Sequence, residues 1–164
     1  MERATAGAAS GSRISASPDE THDLGRRLGL SAVPGTVVAL IGPLGAGKTH
    51  LTKGVAAGLG VRSVVNSPTF VLINEHVGRL RLYHADAYRL GDPEEAAAAG
   101  ILDERQADGV TVIEWADRLD GWLPAERLEI RLDLQQGAPM TRTVEWTALG
   151  TAHERLAAEA LSNP

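Results

Sequence analysis

Cysteine is absent from this chain of 164 residues. Its absence excludes a disulfide, a thiolate zinc site and a thiol nucleophile, and it is consistent with a reducing compartment. Long apolar runs are absent too, so no segment of the sequence could span a bilayer, and the first residues lack the apolar core of a secretory signal. We therefore expect a cytoplasmic protein without a membrane partner.

Basic side chains are in the minority, and lysine is rare. The 16 Lys and Arg residues stand against 21 Asp and Glu residues, which gives a formal net charge of −5, and Lys48 and Lys53 are the two lysines. An acidic chain lacks the extended basic surface that binds nucleic acid without help. Any contact with RNA is therefore expected to be indirect, through partner proteins.

The length and composition predict a single compact domain. A chain of this length, with 43% hydrophobic residues, can bury one core. Residues 1–16 are rich in Ala, Gly and Ser without periodicity, so we interpret them as a flexible N-terminal extension and residues 17–164 as the domain. Ser17, Pro18 and Glu20 have the pattern of a helix start with a capping box, and Leu24 and Leu28 give that helix its buried stripe.

The most informative segment runs from Gly42 to Thr49, with the sequence GPLGAGKT. It fits the G-x-x-x-x-G-K-[ST] phosphate-binding loop, and it stands between an apolar run, Thr36 to Ile41, and a helical pattern, His50 to Leu59. In this context, backbone N–H groups curl around phosphate oxygens and the helix N-terminus adds positive dipole. The alternative, a glycine-rich turn with an incidental lysine, does not require the flanking strand and helix.

Two side chains of this loop have predicted roles at a nucleotide. Lys48 would bridge the β- and γ-phosphates, and Thr49 would offer its hydroxyl to Mg²⁺. We predict ATP rather than GTP because the [NT]KxD motif that selects guanine is missing: Lys53 is followed by Gly-Val-Ala.

The order of strand and helix patterns predicts an α/β fold, with the three layers of a P-loop NTPase and a central mixed, partly parallel sheet. Phe70 to His76 and Arg79 to His84, joined by a tight turn at Val77 and Gly78, are expected to pair as an antiparallel hairpin. The other predicted elements are a buried strand from Val110 to Glu114, an alanine-rich helix from Asp92 to Gly100, strands from Arg127 to Leu134 and Arg142 to Trp146, and a helix from Ala152 to Leu161.

Acidic and hydroxyl side chains follow the predicted strands. Glu114 ends a buried strand at the sheet edge beside the loop, where a Walker B carboxylate holds Mg²⁺, although it could also be a surface acid. Extended geometry places His84, Asp86 and Tyr88 on one face, where Asp86 could orient a water or a metal-bound water. For His84, a structural hydrogen-bonding role is favoured over acid–base chemistry.

The segment between the P-loop helix and the hairpin carries two hydroxyl side chains, Ser67 and Thr69. They are candidates for a switch-like segment that senses the γ-phosphate. The alternative is an ordinary hydroxyl-capped turn.

Four motifs, in this order and spacing, resemble the TsaE family: GPLGAGKT (42–49), SPTF (67–70), HADAYR (84–89) and VIEW (112–115). The segments GILDE (100–104) and LP (123–124) extend the resemblance, which covers roughly residues 20–149. TsaE proteins are small bacterial P-loop ATPases that support threonylcarbamoyladenosine formation on tRNA. They work with TsaD, which transfers the group, and with TsaB, its dimerisation partner.

The resemblance implies ATP and Mg²⁺ as ligands, TsaD-like and TsaB-like partners, and tRNA contact only through their complex. Hydrolysis would reset the complex, and we further expect it to be slow without partners, because a lone domain that hydrolysed ATP freely would decouple hydrolysis from the transfer cycle. Lys48, Asp86 and Glu114 would be catalytic, Thr49 and Glu114 would hold the metal, and the SPTF motif would act as the switch-like segment. From the loop motif and the resemblance together, the residues expected to bind the nucleotide are Gly42, Leu44, Gly45, Ala46, Gly47, Lys48, Thr49, His50, Thr21 and Trp115.

Two positions of the loop depart from the family pattern. The family often has Asp where this chain has Pro43, and Thr or Ser where it has His50. His50 matters more, because a hydroxyl at that position often contacts the α-phosphate. Nucleotide affinity could therefore differ from that of the family.

A second functional class, a P-loop small-molecule kinase, has less support. Phosphotransferases usually place cations over the transferring phosphate. Between Gly91 and Val110 this chain has an alanine-rich helical pattern rather than an arginine-rich insertion. An ATPase whose nucleotide state is sensed by partners is therefore favoured over a kinase.

Overall fold

A seven-stranded sheet forms the centre of the protein in a computed structural model, which describes residues 8–66, 73–88, 94, 100, 104–119 and 121–162. The strands are β1 (Ala8–Ser15), β2 (Val37–Ile41), β3 (Ile73–His76), β4 (Leu82–Asp86), β5 (Val110–Glu114), β6 (Arg127–Gln135) and β7 (Ala138–Leu149). They lie in the order β1-β7-β6-β2-β5-β4-β3.

The sheet is mixed, as the sequence predicts. Strand β2 pairs in parallel with both β5 and β6, and β4 pairs in parallel with β5. The β1–β7, β6–β7 and β3–β4 pairs are antiparallel. The predicted α/β fold with a partly parallel sheet and an antiparallel β3–β4 hairpin is therefore confirmed.

Three helices, α1 (Pro18–Ser31), α2 (Lys48–Gly58) and α3 (Thr151–Ala160), contribute to one large core cluster. Alternate residues of β2 point to opposite faces of the sheet. Val38 and Leu40 belong to this cluster, whereas Ala39 belongs to a smaller one with residues of the 3₁₀ segment Ala116–Leu119. The alanine-rich helix predicted from Asp92 to Gly100 lies outside the described residues. None of the described helices is long and apolar enough to cross a membrane.

Helix α1 begins where the capping pattern predicts. The side chain of Ser17 accepts a hydrogen bond from the backbone N–H of Glu20 at 3.2 Å. In return, Oε1 of Glu20 accepts from the N–H of Ala16 at 2.9 Å, one residue before the partner expected in a capping box. Leu24 and Leu28 are buried, so the predicted stripe is confirmed.

Helices α1 and α2 touch through glycines. Gly25 and Gly29 of α1 face Gly54 and Gly58 of α2, so the two backbones approach closely. A Cβ added to Gly54 would lie 2.1 Å from the carbonyl oxygen of His22, far inside van der Waals contact. This close packing fixes the start of α2, and with it the phosphate-binding loop, against α1.

The prediction of a flexible N-terminal extension is wrong for residues 8–15, which form the edge strand β1. All eight residues of β1 pair with β7, from Ala8 opposite Leu149 to Ser15 opposite Arg142. Residues 1–7 lie outside the described part of the chain.

Tertiary contacts, rather than composition, hold β1 in place. Gly11 lies against the indole of Trp146, where an added Cβ would come within 2.3 Å of the ring. Nη1 of Arg13 donates to the carbonyl oxygen of Leu161 at 2.7 Å. Ser, Gly and Ala have little preference for strands on their own, so the sequence pattern could not show this strand.

The β3–β4 connection is longer than the tight turn predicted at Val77 and Gly78, because β4 begins only at Leu82. Arg79 is used for other contacts. Its N–H donates to the carbonyl oxygen of Leu59 at 2.6 Å, and Nη2 donates to that of Gly29 at 2.8 Å. The connection therefore fastens the hairpin to the ends of α1 and α2 instead of extending the strands.

Candidate functional site

The glycine-rich loop lies between β2 and α2, at the carboxyl end of the parallel strands. Gly42, Gly45 and Gly47 have φ angles of 153°, 80° and 103°, which other residues rarely adopt. Gly42 also has no room for a side chain, since a Cβ would lie 2.2 Å from the carbonyl oxygen of Leu132. No described side chain caps α2 at its N-cap, Gly47, so its first N–H groups can bind an anion.

Lys48 points its ammonium group into this loop. Nζ donates to the carbonyl oxygens of Gly42 at 2.6 Å and Pro43 at 2.9 Å, and the residue is buried. Burial lowers the pKa of Lys48 below its ordinary value, and three nearby carboxylates oppose this shift, those of Glu114, Asp117 and Asp86. The ammonium group therefore lies beside the loop where a phosphate would need a positive charge.

The carboxylate of Glu114 is the centre of a buried polar cluster. Oγ1 of Thr49 donates to Oε1 of Glu114 at 2.9 Å and lies 3.1 Å from Oε2. On the other side, Nε2 of His84 lies 2.5 Å from Oε2 of Glu114. The structure thus brings together the two residues predicted to hold the metal and adds a histidine to them.

Asp86 ends β4 directly beside Glu114, its register partner on β5. Its Oδ1 accepts a hydrogen bond from the N–H of Tyr88 at 2.8 Å, which shapes the turn that follows the strand. The strand stops at Asp86, so the extended face predicted to include Tyr88 is broken before that residue. The predicted role of Asp86 toward water stays a prediction.

Trp115 follows Glu114 in an unusual backbone conformation, with a φ of 59°. This turn brings its indole to Lys48, whose Nζ lies 3.8 Å from the ring centroid. Tyr88 packs on Trp115 with the ring centroids 4.8 Å apart, and the guanidinium of Arg118 lies 4.9 Å from the Tyr88 ring. Trp115 of the VIEW motif and Tyr88 of the HADAYR motif therefore form a tilted aromatic pair beside Lys48.

A pocket of about 180 Å³ adjoins the loop, and Glu114 is not among its lining residues. Thr21 and His50 both line it, as do Gly45, Ala46, Gly47, Pro18, Met140 and Arg142. The hydroxyl of Thr21 is buried and lies 2.7 Å from Oγ of Ser15. The side chain of Leu44, by contrast, is exposed. The predicted switch-like residues, Ser67 and Thr69, lie outside the described residues.

Comparison with known proteins decides the family. The family model described as threonylcarbamoyl adenosine biosynthesis protein TsaE matches residues 15–149. The chain belongs to the TsaE family. Members of the TsaE family take part in the biosynthesis of threonylcarbamoyladenosine on tRNA, so this chain has its place in that pathway.

Individual relatives cover most of the chain. The TsaE protein of Bacillus subtilis is 41% identical over 143 residues, which are 87% of this chain and 88% of the relative. That of Streptomyces coelicolor is 42% identical over 134 residues, 79% of this chain and 90% of the relative. The crystal structure of Bacillus subtilis YdiB matches with a TM-score of 0.78 at 36% identity, covering 93% of this chain and 95% of that one.

One residue that lines the pocket and contacts the loop, Arg142, was missed from the sequence. Arg142 of β7 donates from Nε to the carbonyl oxygen of Ala46 and from Nη2 to that of Gly45, both at 3.1 Å. Nη1 donates to the carbonyl oxygens of Pro139 at 2.7 Å and Thr141 at 2.9 Å. No local motif marks this arginine, because its target lies 96 residues away in the chain.

Proposed function

We propose that this TsaE protein is a Mg²⁺-dependent ATPase that acts in the cytoplasm with TsaD-like and TsaB-like proteins, and that hydrolysis resets their complex. The observation that carries the proposal is the contact between Thr49 and Glu114 at the mouth of the loop that holds Lys48. A P-loop hydroxyl joined to a strand-end carboxylate is the arrangement that holds Mg²⁺ beside nucleotide phosphates.

The residues at this point fit a magnesium ion. Magnesium prefers oxygen ligands, and the oxygens of Thr49 and Glu114 meet here. Because Thr49 directs its hydroxyl hydrogen at the carboxylate, its lone pairs are the part that can face a cation. Within the described residues no group of three or more His, Asp or Glu side chains is arranged to hold a metal ion, so the metal would complete its shell with phosphate oxygens and water.

Each side chain then has a distinct task in our proposal. Lys48 and the N–H groups at the start of α2 bind the phosphates, and Thr49 and Glu114 hold the metal, which neutralises phosphate charge when bound. Asp86, beside Glu114 at the end of β4, orients the attacking water. The pocket lined by Thr21 and His50 takes the adenine end of the nucleotide.

The hydrogen bonds of Arg142 give a reason to expect that hydrolysis depends on partner proteins. Arg142 lines the pocket, but its guanidinium is bonded to backbone carbonyls of the loop and of β7. It is therefore poorly placed to neutralise charge on the transferred phosphate. We expect a TsaD-like or TsaB-like protein to supply or order that cation, and the acidic chain to meet tRNA only through the complex.

The test is ATP hydrolysis by the purified chain, alone and with the matching TsaB and TsaD proteins. Lys48→Ala controls for contaminating activity, because it removes the ammonium group from the loop. We expect slow turnover that rises with the partners and is lost in the variant. Equal turnover with and without partners would contradict the resetting role, and turnover only with an added metabolite would indicate a kinase.

A further inference from the structure

We propose that His84 is a positioning residue, which holds the carboxylate of Glu114 at the angle needed to couple Mg²⁺ to nucleotide binding. The inference rests on the proposed function, because it concerns the same metal site. It assigns to the histidine of the HADAYR motif a task beyond a general structural hydrogen bond.

The direction of the contact between the two side chains follows from the proposed function. As an anionic ligand of Mg²⁺, the carboxylate of Glu114 would only accept hydrogen bonds, so Nε2 of His84, 2.5 Å from Oε2, would be the donor. Thr49 donates to the same carboxylate from the side of the loop. Glu114 is therefore held between two donors, one on α2 and one on β4, and its plane is fixed.

The surroundings leave the imidazole little freedom to move. His84 is 0% exposed and Glu114 is 2% exposed. On the sheet, His84 lies opposite Val112 on β5 and opposite Asn74 on β3, so strands flank it on both sides. Because the ring of His84 has little freedom to move relative to β4, it holds the carboxylate of Glu114 at a fixed position.

The bonded nitrogen of the ring sets His84 apart from the other buried histidines. Within the described part of the chain, Nδ1 of His84 is buried without a hydrogen-bond partner, as are Nε2 of His76 and Nδ1 of His153. The difference lies in the partner of the other nitrogen, since His76 bonds to Ser63 and His153 accepts from the backbone of Val37. The contact that His84 does make is with the metal-site carboxylate. Residues that orient a metal ligand in this way typically change metal affinity about 10-fold to 100-fold when replaced.

The experiment compares two amide variants that differ in reach. In His84→Gln the side-chain nitrogen can occupy the place of Nε2 and still donate to Glu114, whereas the shorter amide of His84→Asn cannot. The affinity of a fluorescent, non-hydrolysable ATP analogue is measured for each variant in EDTA and in saturating Mg²⁺. His76→Gln is the matched control, because His76 is also buried on the hairpin but bonds to Ser63 at 2.7 Å.

We expect Mg²⁺ to raise the affinity for the analogue in the wild type, in His84→Gln and in His76→Gln. In His84→Asn this Mg²⁺-dependent increase in affinity should be smaller by a factor of about 10 or more. Affinity in EDTA should be the same in all four proteins. Equal Mg²⁺ gains in the Asn and Gln variants would overturn the inference, as would an Asn variant that loses affinity equally in both buffers. A wild type whose binding ignores Mg²⁺ would overturn the proposed function itself. Thermal melting confirms that each variant is folded.

Discussion

Asp86 and Glu114 are register partners on the parallel strands β4 and β5, so two carboxylates end neighbouring strands beside the phosphate-binding loop. Their surroundings differ. Glu114 is buried between Thr49 and His84, whereas Asp86 is partly exposed and accepts a backbone N–H from the following turn. The first environment suits a fixed metal ligand, and the second suits a carboxylate that meets water.

Replacement of Asp86 by Asn tests this division. Asn keeps an oxygen that can accept the N–H of Tyr88, so the turn and nucleotide binding should survive. Turnover should fall about 10²-fold to 10⁴-fold, the range for loss of a positioned base. Steady-state hydrolysis and nucleotide titration measure the two effects separately. If binding collapsed as well, Asp86 would have to be reassigned to the metal site.

Arg142→Met tests whether β7 shapes the loop. Methionine retains the apolar stem of the side chain but donates no hydrogen bond, so the carbonyls of Gly45 and Ala46 lose their partner. We expect nucleotide affinity to weaken about 10-fold, since hydrogen bonds from a charged donor contribute about 1.5–3 kcal/mol. Titration of nucleotide by fluorescence gives the value. Arg131→Met, an exposed arginine on β6, is the control and should bind like the wild type.

Gly54→Ala should destabilise the fold, although alanine favours helices by about 1 kcal/mol over glycine. The added methyl group would meet the carbonyl oxygen of His22 at 2.1 Å, and backbone has to move to relieve this overlap. We expect a net loss of about 1–3 kcal/mol in the free energy of unfolding. Urea denaturation measures it, with Lys53→Ala on the exposed side of α2 as the control. A more stable Gly54→Ala protein would show that the helices can separate freely.

Acid should destabilise the protein through buried histidines. Burial lowers the pKa of His153, and Nε2 of its ring accepts the N–H of Val37 at 3.1 Å, which requires an unprotonated nitrogen. Burial lowers the pKa of His76 as well, and the charge of His84 adds to the shift. Below about pH 6.5 the unfolded chain binds protons that the folded chain does not, so stability falls as the pH falls.

The pH effect is measurable as a slope of at most about 1.4 kcal/mol per pH unit for each histidine. Urea denaturation between pH 7 and pH 5 should show it. His153→Gln, whose amide oxygen can accept the N–H of Val37 without titrating, should flatten the slope and leave the part due to His76. An unchanged slope in this variant would mean that His153 does not contribute.

The parts of the fold that the sequence predicts well are those with strong local patterns. The apolar run of β2 and the glycine loop are contiguous in sequence, and Leu51, Val55 and the C-cap residue Leu59 follow the helical spacing of α2. The structure places all of them as expected. The position of Glu114 beside the loop could be predicted too, because the carboxyl ends of parallel strands meet at one edge of the sheet and the loop marks that edge.

The features that escaped prediction depend on contacts between distant segments. Strand β1 consists of residues with weak strand preference, and it is fixed by β7 and by the ring of Trp146. Arg142 contacts the loop only once β7 lies beside it. His84 contacts Glu114 only once β4 pairs with β5. Composition and motif spacing carry no information about such long-range contacts, so the sequence predicted no partner for the side chain of Arg142 or of His84.

The pairing of β1 with β7 also has a consequence during synthesis on the ribosome. The strand that is made first has no edge to join until the last strand of the sheet has emerged, since Ala8 lies opposite Leu149. Closing so long a loop adds little to the free energy cost, which grows only with the logarithm of its length, but such distant contacts slow folding. Because β1 pairs with β7, it can join the sheet only after β7 has been made, whereas the parallel strands β2, β4 and β5 are all made before β7.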